Sequence, residues 1–245
     1  FRMIGEGTGK GLDLDEFDVF YHQLIIWDES KQAIVGGCRF VYGDWVIQYY
    51  GKKGMYTNSL FQFTGKMNKI LTQSVEVGRV FIAPEYQKSM SPLLMLWQSL
   101  FKILKTKPQY QYLIGSVSIS NEFSHYSKKL MIYYLKKYFY NKDMGAHVHP
   151  RNPFIYRLSK TDKESLIDIQ EEENIQQFNQ LIEEIEPKHL KIPVLIKQYI
   201  KQHAIFLGFS IDYSFSESLD GLVLLDLKKI EPEAVKMLNR NNEKP

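Results

Sequence analysis

The chain has 245 residues, 44% hydrophobic and 24% charged, enough for one large domain or two small ones with a sizeable core. A net charge of +3 lacks the strong basic excess of a dedicated nucleic-acid binder, though it leaves room for local basic patches facing acidic partners. The single cysteine, Cys38, excludes an internal disulfide and a cysteine zinc cluster and fits a reducing cytoplasm, and no apolar run reaches the ~18 residues of a spanning helix. The first residue is Phe1, not methionine, inside what reads as a motif, so residues are expected upstream.

Residues 5–18 are Gly-rich and then acidic, a loop by composition. Their glycine and lysine spacing is not that of a P-loop. Tyr21 to Asp28 and Ala33 to Tyr42 read as two strands of a hairpin. Residues 57–72 read as a short helix or an irregular cover. Val75 to Ala83 is a third strand. Apolar periodicity predicts a helix over 91–105, with Ser91 as N-cap and Pro92 as its first residue. Tyr112 to Ser118 is a buried strand and Phe123 to Phe139 an amphipathic helix. Residues 145–160 hold two prolines and no periodicity, which predicts a loop. Thr161–Glu164 has capping-box spacing for a helix that the acidic run Glu171–Glu173 interrupts and that resumes to Pro187. Ile192 to Phe206 reads as a helix. Strands near Phe206–Asp212 and Leu222–Leu227 close the chain, and a polar tail after Pro232 frays. This order predicts an α/β (α+β) sheet, mixed and mostly antiparallel, flanked by helices.

The most informative stretch is Ser74-Val-Glu-Val-Gly-Arg-Val-Phe-Ile-Ala-Pro-Glu-Tyr-Gln87. Glu76 and Arg79 are three apart, so a regular strand turns them to opposite faces. A bulge at Gly78 or Arg79 brings both into one cleft, and bulges favour active sites. An edge strand with two solvated charges fits the spacing equally well. Ser116, Ser118 and Ser120 alternate, so they share a face, suited either to a ligand or to solvent. Cys38 reads as a buried thiol with no base partner. His147 and His149 alternate before Pro150 without an evident third ligand, so no metal site is expected.

Three motifs resemble the acyl-homoserine-lactone synthases, a branch of the GNAT acyltransferase fold: Gly11-Leu-Asp-Leu-Asp-Glu-Phe-Asp18, Gly36-Gly-Cys-Arg39 and Glu76-Val-Gly-Arg79. The ordered set Val80–Gln87, Gly115-Ser-Val-Ser-Ile-Ser-Asn121 and Asp220-Gly-Leu-Val-Leu-Leu-Asp226 is closer to the bacterial ornithine-lipid and glycine-lipid N-acyltransferases, often labelled hemolysin-like. The resemblance spans nearly the whole chain, and it is the ordered combination that is specific. Two departures stand out. An arginine usual in the family would fall before Phe1. The loop that ordinarily grips the CoA pyrophosphate is replaced by Gln87-Lys-Ser-Met-Ser91, which fits a donor lacking the adenosine diphosphate part.

The resemblance implies a single GNAT-like domain over 1–245, with its core at 1–140 and 190–230 and a helical insertion near 145–187. It implies transfer of a (3-hydroxy)fatty acyl group from acyl carrier protein, ahead of acyl-CoA, to the α-amine of glycine, with ornithine second. The donor is an acyl-phosphopantetheine thioester, and no bound cofactor is expected. Glu76 is the candidate base, through water. Asp15, Asp18, Arg39 and Arg79 form a charged cluster that clamps the amino acid, although Asp13, Asp15 and Asp18 also suit a solvated acidic turn. Backbone N–H groups near Val80 and Phe81 hold the oxyanion. Ser116, Ser118 and Ser120 bind pantetheine or acceptor, and Tyr126 returns a proton to the thiolate. Lys88, Lys102, Lys105, Lys107, Lys128 and Lys129 form a basic rim for the acidic carrier protein, or are ordinary helix-surface lysines. Lys191–His203 suits peripheral contact with the inner face of the cell membrane, or a core-packing helix. The competing functions are an acyl-homoserine-lactone synthase-like enzyme and a non-catalytic carrier-protein or membrane-surface binding module. The expected location is cytoplasmic.

Overall fold

A computed structural model describes residues 7–159 and 175–229. The expectations for Thr161–Glu164, the acidic run at 171–173 and the tail after Pro232 lie outside these residues. Among the described residues six strands form the main sheet: β1 (His22–Asp28), β2 (Ala33–Tyr42), β4 (Ser74–Ile82), β5 (Tyr112–Ile119), β7 (Ile205–Asp212) and β8 (Ser218–Asp226). Their order is β1-β2-β4-β5-β8-β7. Every pairing is antiparallel except β4 with β5. A separate two-stranded sheet joins β3 (Phe61–Phe63) to β6 (Val148–Pro150). The mixed, mostly antiparallel sheet flanked by helices is as the sequence predicts.

Each face of the sheet carries its own core. On one face lie α4 (Ser91–Lys105), α5 (His125–Tyr138), α7 (Ile175–Ile185) and α8 (Val194–Lys201). Leu96, Trp97 and Leu100 of α4 pack there with Ile132 and Leu135 of α5, Phe178 of α7 and Ile196 of α8. The spacing of three and four keeps these side chains on the buried stripe of each helix. On the opposite face Val41, Met55, Phe61, Met67, Ile114 and Leu222 pack beneath α1 (Gly43–Tyr50), α2 (Tyr56–Leu60), α3 (Met67–Thr72) and the small sheet. A short helix, α6 (Lys142–Gly145), leads into β6.

Several sequence expectations need correction. Residues 43–50 carry no predicted element, yet the chain turns from β2 straight into α1. Gly43 permits this, since a Cβ there would lie 1.9 Å from the Leu71 carbonyl oxygen. The stretch 57–72 holds two helices and a strand. The proline-bearing loop at 145–160 contains β6, whose three residues are too short to show a two-residue period, so part of the expected helical insertion is strand. The helix expected over 192–206 covers only Val194–Lys201. The chain leaves it through His203 at φ 58° and enters β7 at Ile205. The helix at 91 begins on Ser91 itself, and no side chain caps it.

The feature that positions the site is in β4. Arg39 lies opposite Gly78 and Gly37 opposite Phe81, so β4 carries one residue more than β2 across this interval. Arg79 holds φ 52°, the left-handed region. This is the bulge expected at Gly78 or Arg79. β4 pairs with β5 only from Ser74 to Glu76 against Tyr112 to Ile114. Beyond that point β4 follows β2 and β5 follows β8, which opens a cleft between them. Exposure along β4 rises there: residues 74–77 are buried, residues 78–82 are not.

Candidate active site

The acidic loop divides by task. Asp13 turns back to Thr8, accepting from its N–H at 2.8 Å and its hydroxyl at 2.9 Å. Asp15 and Asp18 cap the 3-10 turn Glu16–Val19 as a capping box and face the sheet. There they meet Arg39, which is 1% exposed. Arg39 Nη1 donates to Asp15 Oδ1 at 2.5 Å and to Asp18 Oδ1 at 2.9 Å, and Nη2 donates to Asp15 Oδ2 at 2.9 Å. The rings of Phe17, Tyr21 and Tyr56 surround the guanidinium at 5.6, 5.1 and 5.3 Å. A buried charge is tolerated only when paired in this way. Because of the bulge, Arg79 reaches the same carboxylate, with Nη2 2.9 Å from Asp15 Oδ2 and the guanidinium 5.0 Å from the Phe215 ring. Burial opposes the Asp15 carboxylate, but Arg39 and Arg79 outweigh it and hold its pKa below the ordinary value. The structure therefore brings Asp15, Asp18, Arg39 and Arg79 together.

Glu76 sits beside this cluster, 1% exposed. It accepts from the Tyr21 hydroxyl, from Tyr56 N–H at 3.0 Å and from Thr57 N–H at 2.6 Å. Burial raises its pKa above the ordinary value despite these donors and the nearby Arg39 charge. The carboxylate thus fixes the start of α2 and the Tyr21 ring, with Tyr21 also accepting from Tyr56 N–H at 3.0 Å.

A second carboxylate pair lies on the same face, and sequence reasoning missed its role. Asp212 on β7 is 4% exposed and Asp220 on β8 is 1% exposed. Tyr56 donates its hydroxyl to Asp212. Ser218 Oγ donates to Asp220 Oδ1 at 2.8 Å, and the hydroxyls of Ser116 and Ser118, on the facing strand, favour its ionised form. Burial first, then the Asp212 charge, pushes Asp220 up to about 6, against the pull of these hydroxyls. The available signal was an aspartate inside the apolar run Ser218-Leu-Asp-Gly-Leu-Val-Leu-Leu-Asp226, on a strand with both faces buried.

Ser116 and Ser118 are part-exposed and border the cleft where β4 has departed. Ser120 lies beyond the end of β5 and accepts from Glu122 N–H at 3.2 Å, so it closes a turn and does not share the strand face. Ala83 N–H donates to the Val35 carbonyl of β2, and Gln87 Nε2 donates to the Ile82 carbonyl from the other side. By alternation Phe81 N–H faces β2, whereas Val80 N–H faces the cleft. Of the two expected oxyanion donors, Val80 alone is so placed. Tyr126 is 41% exposed in the first turn of α5. Lys88, Lys102, Lys105 and Lys129 are at least part-exposed. Lys107 lies with Nζ 4.9 Å from the Tyr42 ring centre. Lys128 does not belong to a rim: it is 6% exposed and donates to Asn121 Oδ1 at 2.6 Å, and burial lowers its pKa. Burial pushes the Cys38 thiol up to about 12, which leaves it unreactive. His149 Nε2 lies 3.4 Å from Thr64 Oγ1, and among the described residues no His, Cys, Asp and Glu group has metal-binding geometry. Among them, too, no helix is long and apolar enough to cross a membrane.

A sheet whose central parallel pair parts at a bulge, with a carboxylate and guanidinium cluster at the opening, is a GNAT-like arrangement. Residues 1–98 match the acetyltransferase (GNAT) domain family. The chain is 28% identical over 244 residues to a glycine N(alpha)-acyltransferase of Phocaeicola vulgatus, covering 94% of this chain and 73% of that one. It is 29% identical over 245 residues to a glycine N(alpha)-acyltransferase of Bacteroides thetaiotaomicron, covering 94% and 71%. Among solved structures it resembles the CoA-dependent acyl-homoserine lactone synthase MesI, with 11% identity, TM-score 0.38 and coverage of 98% and 78%. BjaI, a second such synthase, gives 9% identity, TM-score 0.43 and coverage of 96% and 71%.

Proposed function

We propose that this enzyme moves a fatty acyl group from the phosphopantetheine thioester of acyl carrier protein to the α-amine of glycine. The observation that carries the reading is the bulge at Arg79, which opens β4 from β5 and brings Arg79 onto Asp15. The names of the two bacterial relatives support glycine as acceptor. Arg79 binds the acceptor carboxylate by a charge-assisted fork, while Asp15 and Asp18 receive its ammonium. Arg39, enclosed by three rings and two carboxylates, holds Asp15 and Asp18 in place. Glu76 positions Tyr21 and Tyr56 from beneath.

The thioester lies in the cleft with its carbonyl oxygen toward Val80 N–H, which donates to the oxyanion as the amine attacks. The C–N bond forms, the C–S bond breaks, and the pantetheine thiolate leaves. Tyr126, exposed at the head of α5, returns a proton to that thiolate. The carrier protein docks on the exposed lysines 88, 102 and 105, with the enzyme at the cytoplasmic face of the membrane. The test incubates the enzyme with 3-hydroxyacyl carrier protein, then with the matching acyl-CoA, in a pool of amino acids, and identifies products by mass spectrometry. N-acylglycine formed mainly with the carrier protein is expected. Folded enzyme that acylates no amine with either donor would refute the reading.

A further inference from the structure

A proton must leave the acceptor ammonium before its nitrogen can attack, and it needs a carboxylate within reach of the cleft. Glu76 fits this task poorly. Its oxygens already take three donors, and Tyr21 and Tyr56 stand over it. Asp220 is equally buried, yet its partners differ. Ser118 lies directly opposite it across the β5–β8 ladder, and Ser116 lies two residues back on the same face. Both serines stand on the face of Asp220 and favour its ionised form, and both are part-exposed on the stretch of β5 that β4 no longer covers. Building on the acyltransferase reading above, we propose that Asp220 is the proton acceptor of the reaction, reached through the Ser118 hydroxyl.

The step balances without a further reactant. The acceptor nitrogen gives its proton to Ser118 Oγ as that hydroxyl gives its own proton to Asp220. The freed lone pair forms the C–N bond, and as the C–S bond breaks the nitrogen's second proton passes by way of Tyr126 to the departing sulfur, leaving the amide and the free thiol. Ser218 holds the carboxylate in register at 2.8 Å. The charged and titratable groups facing Asp220 are Asp212 from β7 and Tyr56 from α2, with Arg79 beyond Tyr56. Burial and the Asp212 charge place Asp220 at about 6, where it is ionised at neutral pH yet close enough to accept a proton in the transition state. Tyr56 is the link between the two carboxylate groups. Its hydroxyl sits on Asp212, the neighbour of Asp220, while its N–H sits on Glu76, beside the acceptor-binding cluster.

The experiment measures kcat/KM between pH 5 and 9 for wild type, Asp220→Asn, Asp220→Glu and Ser118→Ala, with an acyl thioester and glycine. Wild type should show an acidic limb at about 6. Asp220→Asn should lose that limb and about 100-fold or more in kcat, with KM for the acyl donor unchanged. The deficit should shrink as pH rises, because more glycine then arrives already deprotonated. Asp220→Glu should recover part of the rate, and Ser118→Ala should lose rate with the same pH trend. An acidic limb that persists in Asp220→Asn, or an equal loss at every pH, overturns the proposal. If Asp220→Asn does not fold, Ser118→Ala decides by the same pH trend. Wild type that acylates no amine overturns the acyltransferase reading itself, a different result from active wild type with an unaltered profile in the variants.

Discussion

Replacing Asp220 with asparagine should cost activity and raise stability, and the size of the gain follows from the site. The side chain is enclosed, and its carboxyl titrates at about 6 instead of the ordinary 3.8. The folded chain therefore holds that proton more tightly than the unfolded chain does. The stabilisation this gives is complete below the ordinary value and is lost as pH climbs through about 6. By proton linkage the buried charge costs about 3 kcal/mol at pH 8, of which about half is already present at pH 5. Asparagine keeps the shape without the charge and gives back about 1 kcal/mol through a weaker hydrogen bond to Ser218. Urea denaturation of both proteins should then show Asp220→Asn more stable by about 2 kcal/mol at pH 8, with that advantage reduced by about 1.4 kcal/mol at pH 5. A stability difference that does not vary with pH, or a variant less stable at pH 8, would refute the reasoning.

Arg39→Met should destabilise the chain by about 3–5 kcal/mol, because it leaves Asp15 and Asp18 without their buried partner, and denaturant titration reads it directly. At the bulge, Arg79→Gly and Arg79→Ala should both lose most activity toward glycine, but the glycine variant should be more stable by about 1 kcal/mol because it relaxes the left-handed φ; equal melting temperatures would count against a strained backbone there. Gly115→Ala should close the throat of the cleft, since a Cβ would lie 2.4 Å from the Val77 carbonyl oxygen; it should cost about 1–3 kcal/mol and abolish turnover. Cys38 should resist iodoacetamide in the native protein and label fully in urea, as mass measurement will show.

Much of this was readable from the chain because local chemistry agreed with the tertiary arrangement. The strand from Ser74 to Ile82, the helix over 91–105 and the bulge at Arg79 each carry their own signal in glycine, proline and apolar spacing. Arg39 and the loop aspartates were legible only through resemblance, because more than 20 residues separate partners that no period connects. The Asp212 and Asp220 pair shows the limit more sharply. Each aspartate sits in an apolar strand where a lone carboxylate reads as a strand end, and only the register of β7 on β8 on β5 brings them beside Ser116 and Ser118. The small sheet of β3 and β6 was hidden for a related reason: three residues on each side hold no pattern until they meet.

The brief contact between β4 and β5 divides the sheet into two panels, β1-β2-β4 and β5-β8-β7, sewn along a seam only three residues long. Few backbone bonds resist a change in the angle between them, so the gape of the slot is governed by the helices packed on either side. Substitutions in the flanking layers, far from any reacting atom, should therefore tune which acyl chain lengths the enzyme admits.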